Sequence, residues 1–156
     1  NEPIKGFGVL SDYARKHAAL RTGVGGQAKF QGLHEALSEQ VSLFEDSSRD
    51  LAQATDQILR KHGKGIIGKQ FASCRLAEIM IDLFVMACTI SRVQASIEKN
   101  GLEAARPEMD ILQTFARAAN VRIKHNFRRI DSNDDELLKS LADQAFEAEG
   151  YGWDTI

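Results

Sequence analysis

A long apolar stretch in the middle of the chain, from about Ile66 to Lys99, limits most strongly which folds this sequence can adopt. Its apolar residues recur at helical spacing and also spread around the remaining sides of the predicted helix. A helix that is apolar nearly all round is either central in a bundle or covered by a second domain. The run from Ile79 to Cys88 is interrupted by Asp82 and is too short to span a bilayer.

The predicted buried side of this helix includes both cysteines of the chain. Part of this side is formed by Ile67, Phe71, Cys74, Ile81, Cys88 and Val93. The two cysteines lie about 21 Å apart along a helix axis, which is too far for a disulfide bond between them. We therefore expect two reduced thiols in the core of an intracellular protein.

Three other segments show amphipathic helical spacing. They run from about Leu33 to His62, from about Pro107 to Ile130, and onward from a cap at Ser132 or Asn133. In the last of them, the residues predicted to face inward are Leu137, Leu138, Leu141, Ala145 and Phe146. Four such helices joined by short turns predict an all-α fold, an antiparallel up-and-down four-helix bundle with an N-terminal arm.

Residues 1–32 differ in composition from the rest of the chain. Five basic and two acidic residues give this segment a net charge of +3, against −5 for the remainder. We predict a connector with a basic arm and a Gly-rich linker over residues 1–32, and the bundle domain over residues 33–156. The overall net charge of −2 gives no indication of nucleic-acid binding.

The arm has the pattern of a short amphipathic helix between Phe7 and Arg21. Its apolar face is flanked by basic residues, which suits an interfacial helix on an anionic membrane. The alternative interpretation is a plain linker helix. The residues predicted to carry membrane association are Phe7, Leu10, Arg15, Lys16 and Arg21.

Motifs for catalysis, cofactor binding and metal binding do not emerge from the sequence. None of the four histidines follows a glutamate by three residues, as a di-iron bundle requires. The glycine-rich run at residues 63–69 follows a helix rather than a strand, so it is interpreted as a turn between helices and not a phosphate loop. We therefore predict no catalytic, cofactor-binding or metal-binding residue in this chain.

Two charged features stand out. Asp82 lies within the apolar stretch, and a buried carboxylate is costly unless it is paired. The candidates for its partner in a structural ion pair are Arg117 and Arg122, with Arg122 preferred. Arg117, Lys124 and Arg128 share one helical face, which is either solvated or a docking face for an acidic neighbour or phospholipid.

Residues 61–92 carry a resemblance to a known family. They read Lys-His-Gly-Lys-Gly-Ile at 61–66, Gln-Phe at 70–71, Arg-Leu-Ala at 75–77, Ile-Asp-Leu-Phe-Val-Met at 81–86 and Ser-Arg at 91–92. This pattern resembles the C-terminal helical domain of very-long-chain acyl-CoA dehydrogenases and of their complex I assembly paralogue. Phe84 stands where the family has tyrosine, and Ile90 stands where it has leucine.

The resemblance implies a parent enzyme that uses FAD to oxidise long acyl-CoA thioesters to trans-2-enoyl-CoA in fatty acid β-oxidation. Electrons would pass to electron-transfer flavoprotein. The catalytic residues would lie before Asn1, so none is carried over to this chain. The domain would contact its own N-terminal catalytic domain and leave the parent a homodimer, with residues 4–21 as the membrane-associating connector.

Two functions remain open on this evidence. The first is an accessory domain of such a dehydrogenase, in the bacterial cytoplasm or at the inner membrane, or in the mitochondrial matrix or inner membrane. The second is a non-catalytic adaptor bundle that binds a protein partner.

Overall fold

The computed structural model describes residues 30–150, and this part of the chain is helical and contains no strand. Its four α-helices are α1 (Ser38–His62), α2 (Gln70–Asn100), α3 (Arg106–Asp131) and α4 (Asp135–Glu147). A 3-10 helix, Glu35–Leu37, precedes α1, and a 3-10 segment, Gly63–Gly68, joins α1 to α2. The predicted all-α helical bundle is confirmed.

Local sequence explains where these helices begin and end. Gly63 and Gly101 follow α1 and α2 with φ angles of 51° and 84°, a conformation that glycine adopts without the steric cost of a Cβ. Pro107 lies in the first turn of α3, where its missing N–H has no helical partner to lose. Basic residues occupy the last turn of α1, where positive charge stabilises the helix dipole.

Helices α1, α2 and α3 pack on one another around the main core, with α2 against both of the others. The largest side chains that are fully buried there are Leu37, Ile79, Met86, Ile90, Val93, Leu112 and Ile123. A smaller cluster of Ile58, Ala72 and Ile130 closes the end of the bundle near the 3-10 segment. These three helices therefore form a core without help from α4.

Helix α4 buries none of its residues. The prediction that Leu137, Leu138, Leu141, Ala145 and Phe146 face inward is wrong, since all five side chains are exposed and Phe146 is 86% exposed. The helix itself is present with the predicted amphipathic spacing. Spacing alone does not determine whether a neighbouring element covers the apolar side of a helix.

The buried side of α2 also differs from the prediction. Val93 is buried, but Ile67, Phe71, Cys74, Ile81 and Cys88 are exposed. The core is contacted instead by a stripe that includes Ile79, Leu83, Met86 and Ile90. The expectation that both cysteines lie in the core is therefore wrong. Because α2 is apolar on several sides, its periodicity is compatible with more than one orientation of the helix.

Candidate functional site

A paired contact between Asp82 and Arg122 joins α2 to α3. Arg122 donates from Nε to Oδ2 at 3.0 Å and from Nη2 to Oδ1 at 2.6 Å, and Asp82 is only 8% exposed. The hydrogen bond with Asp82 raises the pKa of Arg122. Arg122 also lies over the Phe115 ring at 5.8 Å. The structure thus places Arg122 on Asp82, whereas Arg117 is exposed elsewhere on α3.

This pair is one of the contacts that define the rotation of α2 about its own axis, together with the buried apolar stripe of the same helix. One turn earlier on the same helix, Glu78 accepts a hydrogen bond from the Nδ2 of the buried Asn126 at 2.9 Å. A two-point guanidinium–carboxylate contact is geometrically specific, so it defines which side of α2 meets α3. The opposite side of α2 is consequently directed away from the core.

The outer face of α2, defined as Cys74, Ala77, Ile81, Phe84 and Cys88, is an apolar feature of the bundle surface. Its members follow one another at alternating spacings of three and four residues. Ile81 is 61% exposed and Phe84 is 70% exposed. Two positions separate Ile81 from the buried Ile79, which is roughly 200° around a helix, so the outer face lies opposite the core.

The outer face continues across a groove towards α3. This groove, of about 460 Å³, is lined by Ile81, the Asp82–Arg122 pair, the exposed Val121, His125, Glu78 and Asn126. Alternating spacings of three and four residues are the pattern with which one helix packs along another. The geometry of this surface therefore suits contact with a further helix.

A second ion pair, which sequence reasoning missed, holds the start of α4. The buried Arg75 of α2 donates from Nη1 and Nη2 to the two carboxylate oxygens of Asp135, with Nη1–Oδ2 at 2.7 Å. The hydrogen bond with Arg75 lowers the pKa of Asp135, and the same bond raises the pKa of Arg75. The available signal was an arginine within an apolar helix, which calls for an acidic partner.

Neighbouring contacts set the turn that leads into α4. Asn133 donates from Nδ2 to the carbonyls of Arg129 at 2.9 Å and Ile130 at 3.1 Å, and its Oδ1 accepts from the backbone N–H of Asp135 at 3.1 Å. Lys69 forms an exposed ion pair with Glu136. Polar contacts at its first turn thus hold α4, while its apolar side chains stay uncovered by any residue in the described range.

The basic residues predicted to form either a solvated face or a docking face lie on the surface of α3. Arg117, Lys124 and Arg128 are all exposed, and no carboxylate between residues 30 and 150 forms an ion pair with them. The predicted membrane-association residues Phe7, Leu10, Arg15, Lys16 and Arg21 lie outside the described residues. So does the proposed boundary between arm and linker.

Between residues 30 and 150, no group of three or more His, Cys, Asp or Glu side chains is placed so that it could hold a metal ion. The groove beside the 3-10 segment, about 590 Å³, brings Lys61, Lys69 and Lys139 together with Asp131, Asp135 and Glu136. Asp131 pairs there with Lys61 and Glu136 with Lys69, so the groove is lined by partnered charges.

None of the helices in residues 30–150 combines the length and apolar character needed to cross a bilayer. This finding concerns spanning helices alone.

Comparison with known proteins gives a consistent result. A family model described as ACAD9/ACADV, C-terminal domain, matches residues 35–151. The very long-chain specific acyl-CoA dehydrogenase, mitochondrial, of Rattus norvegicus is 32% identical over 132 residues. The enzymes of the same description from Homo sapiens and Bos taurus are 31% and 30% identical. Each alignment covers 84% of this chain but only 20% of the relative, so the chain spans about a fifth of their length.

Proposed function

Since the chain belongs to the ACAD9/ACADV C-terminal domain family within the acyl-CoA dehydrogenases, we propose that it is the accessory domain of an FAD-dependent enzyme. That enzyme would convert long or very-long-chain acyl-CoA to trans-2-enoyl-CoA and pass electrons to electron-transfer flavoprotein. FAD and the catalytic residues would belong to a separate catalytic portion. The role of this chain would be to support the homodimeric quaternary structure of the enzyme and its membrane association.

The observation that carries this proposal is the exposed outer face of α2. Ile81 and Phe84 lie on a helix whose opposite side packs into the core, so neither side chain contributes to the core of the bundle. Their spacing suits a helix as the covering element. The relatives are about five times longer than the region matched, and their remaining length supplies a candidate source for that helix.

The energetic gain from such docking is substantial for a domain of this size. Fully burying one large aliphatic or aromatic side chain contributes about 1.5–3 kcal/mol relative to exposure. Ile81, Phe84, Met80 and Val85 are all exposed, and each would gain part of that amount. The arrangement supports docking of the outer face onto the catalytic portion as the means by which the two parts stay together.

The test is made on the longest protein encoded in the reading frame of this chain. Its coding sequence upstream of Asn1 is expected to specify an FAD-binding dehydrogenase portion, and the purified protein is expected to be yellow and to be reduced by palmitoyl-CoA. Phe84→Asp is expected to expose the outer face, measured as faster hydrogen exchange along α2 and cleavage between the two parts at lower protease concentration. Leu59→Asp, at an exposed position on α1, is the matched control.

Equal rates of hydrogen exchange along α2 in the unmodified protein and in the Phe84→Asp variant would contradict the docking proposal. An upstream sequence without a flavin domain would contradict the enzyme proposal itself. The two failures are separable, because the first concerns one face of the bundle and the second concerns the identity of the rest of the protein.

Membrane association is proposed for the arm, with Phe7, Leu10, Arg15, Lys16 and Arg21 as its contact residues. The support is the sequence pattern of an apolar face with flanking basic residues. Vesicles containing anionic lipid are expected to sediment the chain at low salt. Leu10→Pro is expected to abolish this by breaking the helix. Vesicles that leave the unmodified chain in solution would contradict the proposal.

An adaptor function is the second candidate, favoured by the exposed face of Arg117, Lys124 and Arg128 on α3. A stoichiometric acidic partner recovered by the unmodified chain, and lost on combined replacement of these three residues by glutamate, would support this function. Retention of the same partner by the triple variant would contradict it.

A further inference from the structure

A narrow cleft between α1 and α3 is lined largely by polar side chains that take part in none of the ion pairs described above. The polar residues that line it are Glu39, Gln40, Gln113, Arg117 and Asn120. Its volume is about 220 Å³, which is below the range of pockets for drug-sized ligands. The cleft therefore suits a single small molecule.

Gln40 is the buried member of this set. It is only 8% exposed, and its carboxamide forms no hydrogen bond with any other residue between 30 and 150. A buried carboxamide without a partner is costly, and the large majority of such groups in proteins are hydrogen-bonded. Since Gln40 lines the cleft, a molecule held there is able to supply its missing partner.

The other polar residues of the cleft define what that molecule would carry. Glu39 and Arg117 contribute one charge of each sign, and no ion pair joins them in the described part of the chain. The half-buried Gln113 and Asn120 add two carboxamides, each of which both donates and accepts hydrogen bonds. A molecule that carries a cation and an anion close together would contact both charged residues at once.

We propose that this cleft binds a free α-amino acid. Its carboxylate would accept hydrogen bonds from the guanidinium of Arg117, and its ammonium group would donate to the carboxylate of Glu39. The carboxamide of Gln40 would complete the contacts of the bound molecule. Leu43 and the buried Ala116, the apolar residues of the cleft, would contact its carbon atoms.

Other kinds of ligand satisfy fewer of these groups. A simple anion such as phosphate would be attracted by Arg117 but repelled by Glu39. A peptide carries only one of the two charges at either terminus and neither within the chain. A zwitterion with a quaternary ammonium group has no N–H to donate to Glu39 or to the carboxamide oxygen of Gln40. Water alone is the remaining occupant, and it is an outcome of the test.

The test is a titration of the isotope-labelled full chain of 156 residues with L-glutamine and with L-alanine, followed through amide chemical shifts. Saturable shifts are expected at residues 39–43 and 113–120, with a dissociation constant in the millimolar range. Glycine betaine carries the same two charges but lacks N–H donors. It is expected to bind at least about tenfold more weakly.

Matched variants identify the charges that are responsible. Arg117→Met and Glu39→Gln are each expected to raise the dissociation constant at least about tenfold, because each removes one charged contact. Lys124→Met removes an exposed cation from the same face of α3 but outside the cleft, and it is expected to leave the constant unchanged. Gln40→Leu is expected to weaken binding while the chain stays folded.

Absence of saturable shifts with both amino acids would overturn the proposal and assign the cleft to water alone. Equally tight binding of glycine betaine would overturn it as well, and so would an unchanged constant in Arg117→Met. The signals of buried residues such as Ile79 and Ile123 report whether each variant is folded. The inference goes beyond the proposed function, because the cleft lies between α1 and α3 and the outer face lies on α2.

Discussion

Arg75 on α2 and Asp135 at the start of α4 form a two-point ion pair that connects the fourth helix to a bundle whose core is made by the other three. Arg75 is buried and Asp135 is only partly exposed, so their attraction is less screened by solvent than that of a surface pair. The position of α4 thus depends on polar contacts at its first turn, of which this pair is the chief one, rather than on apolar packing within the described residues.

Replacement of Asp135 by asparagine is expected to lower the free energy of unfolding by about 1–3 kcal/mol, because it leaves the buried Arg75 without its counter-charge. Amide exchange within α4 is expected to accelerate as well. The matched control is Glu136→Gln, which removes the exposed ion pair with Lys69 and is expected to change stability little. Denaturant titration of the two variants measures the difference, and equal stabilities would contradict the assignment.

The same pair predicts a dependence of stability on acid. Arg75 holds the pKa of Asp135 below its usual value of 3.8 in the folded chain, whereas in the unfolded chain Asp135 titrates near that value. The stabilisation is therefore fully present above the unfolded pKa and is lost as the pH falls through the lower, folded pKa. In the Asp135→Asn variant, the part of acid destabilisation between these two pKa values is expected to disappear. An unchanged dependence of stability on pH below the unfolded pKa of 3.8 would contradict this.

The contact between Asp82 and Arg122 can be tested with two matched arginine variants. Arg122→Met is expected to lower the free energy of unfolding by about 1–3 kcal/mol, since it leaves the carboxylate of Asp82 buried without its ion-pair partner. Arg117→Met, at the other arginine that the sequence offered as a partner, is expected to stay within about 0.5 kcal/mol of the unmodified chain. Thermal or denaturant unfolding distinguishes the two. A larger loss for Arg117→Met would show that the pairing is wrong.

Orientation of α2 is tested by two isoleucines only two positions apart. Ile79 is 0% exposed, and Ile79→Ala is expected to lower the free energy of unfolding by about 2–5 kcal/mol because it creates a cavity in the core. Ile81 lies on the outer face, and in the chain by itself Ile81→Ala is expected to change stability by no more than about 0.5 kcal/mol. A larger loss of stability for Ile81→Ala than for Ile79→Ala would contradict the observed orientation of α2 and support the one predicted from its sequence.

Thiol accessibility gives an independent measure of the same face. Both Cys74 and Cys88 are exposed, so both are expected to react with a thiol reagent under conditions in which the chain stays folded. In the longer protein, docking of the outer face is expected to slow both reactions together. Mass spectrometry of the modified protein counts the labels, and slow reaction of both thiols in the chain by itself would contradict their exposure.

Sequence alone determined the helical class, the approximate limits of the helices and the need for a partner to Asp82. These properties depend on local features of the sequence. They are the glycines that end α1 and α2, a proline in the first turn of α3, and the free-energy cost of burying a carboxylate. They act over a few residues, so they can be read without knowledge of the fold. The family resemblance was likewise contained in residues 61–92, and the match over residues 35–151 agrees with it.

Tertiary structure decided which side of α2 is buried and whether α4 is covered. An apolar stripe around most of α2 is compatible with several rotations, and the one selected buries Ile79 and Met86 while it pairs Asp82 with Arg122 and Glu78 with Asn126. The exposure of Cys74, Ile81 and Phe84 follows from that selection. Whether the apolar side of α4 is covered is determined in the same way. Periodicity specifies that a helix has an apolar side, but only long-range packing specifies what that side contacts.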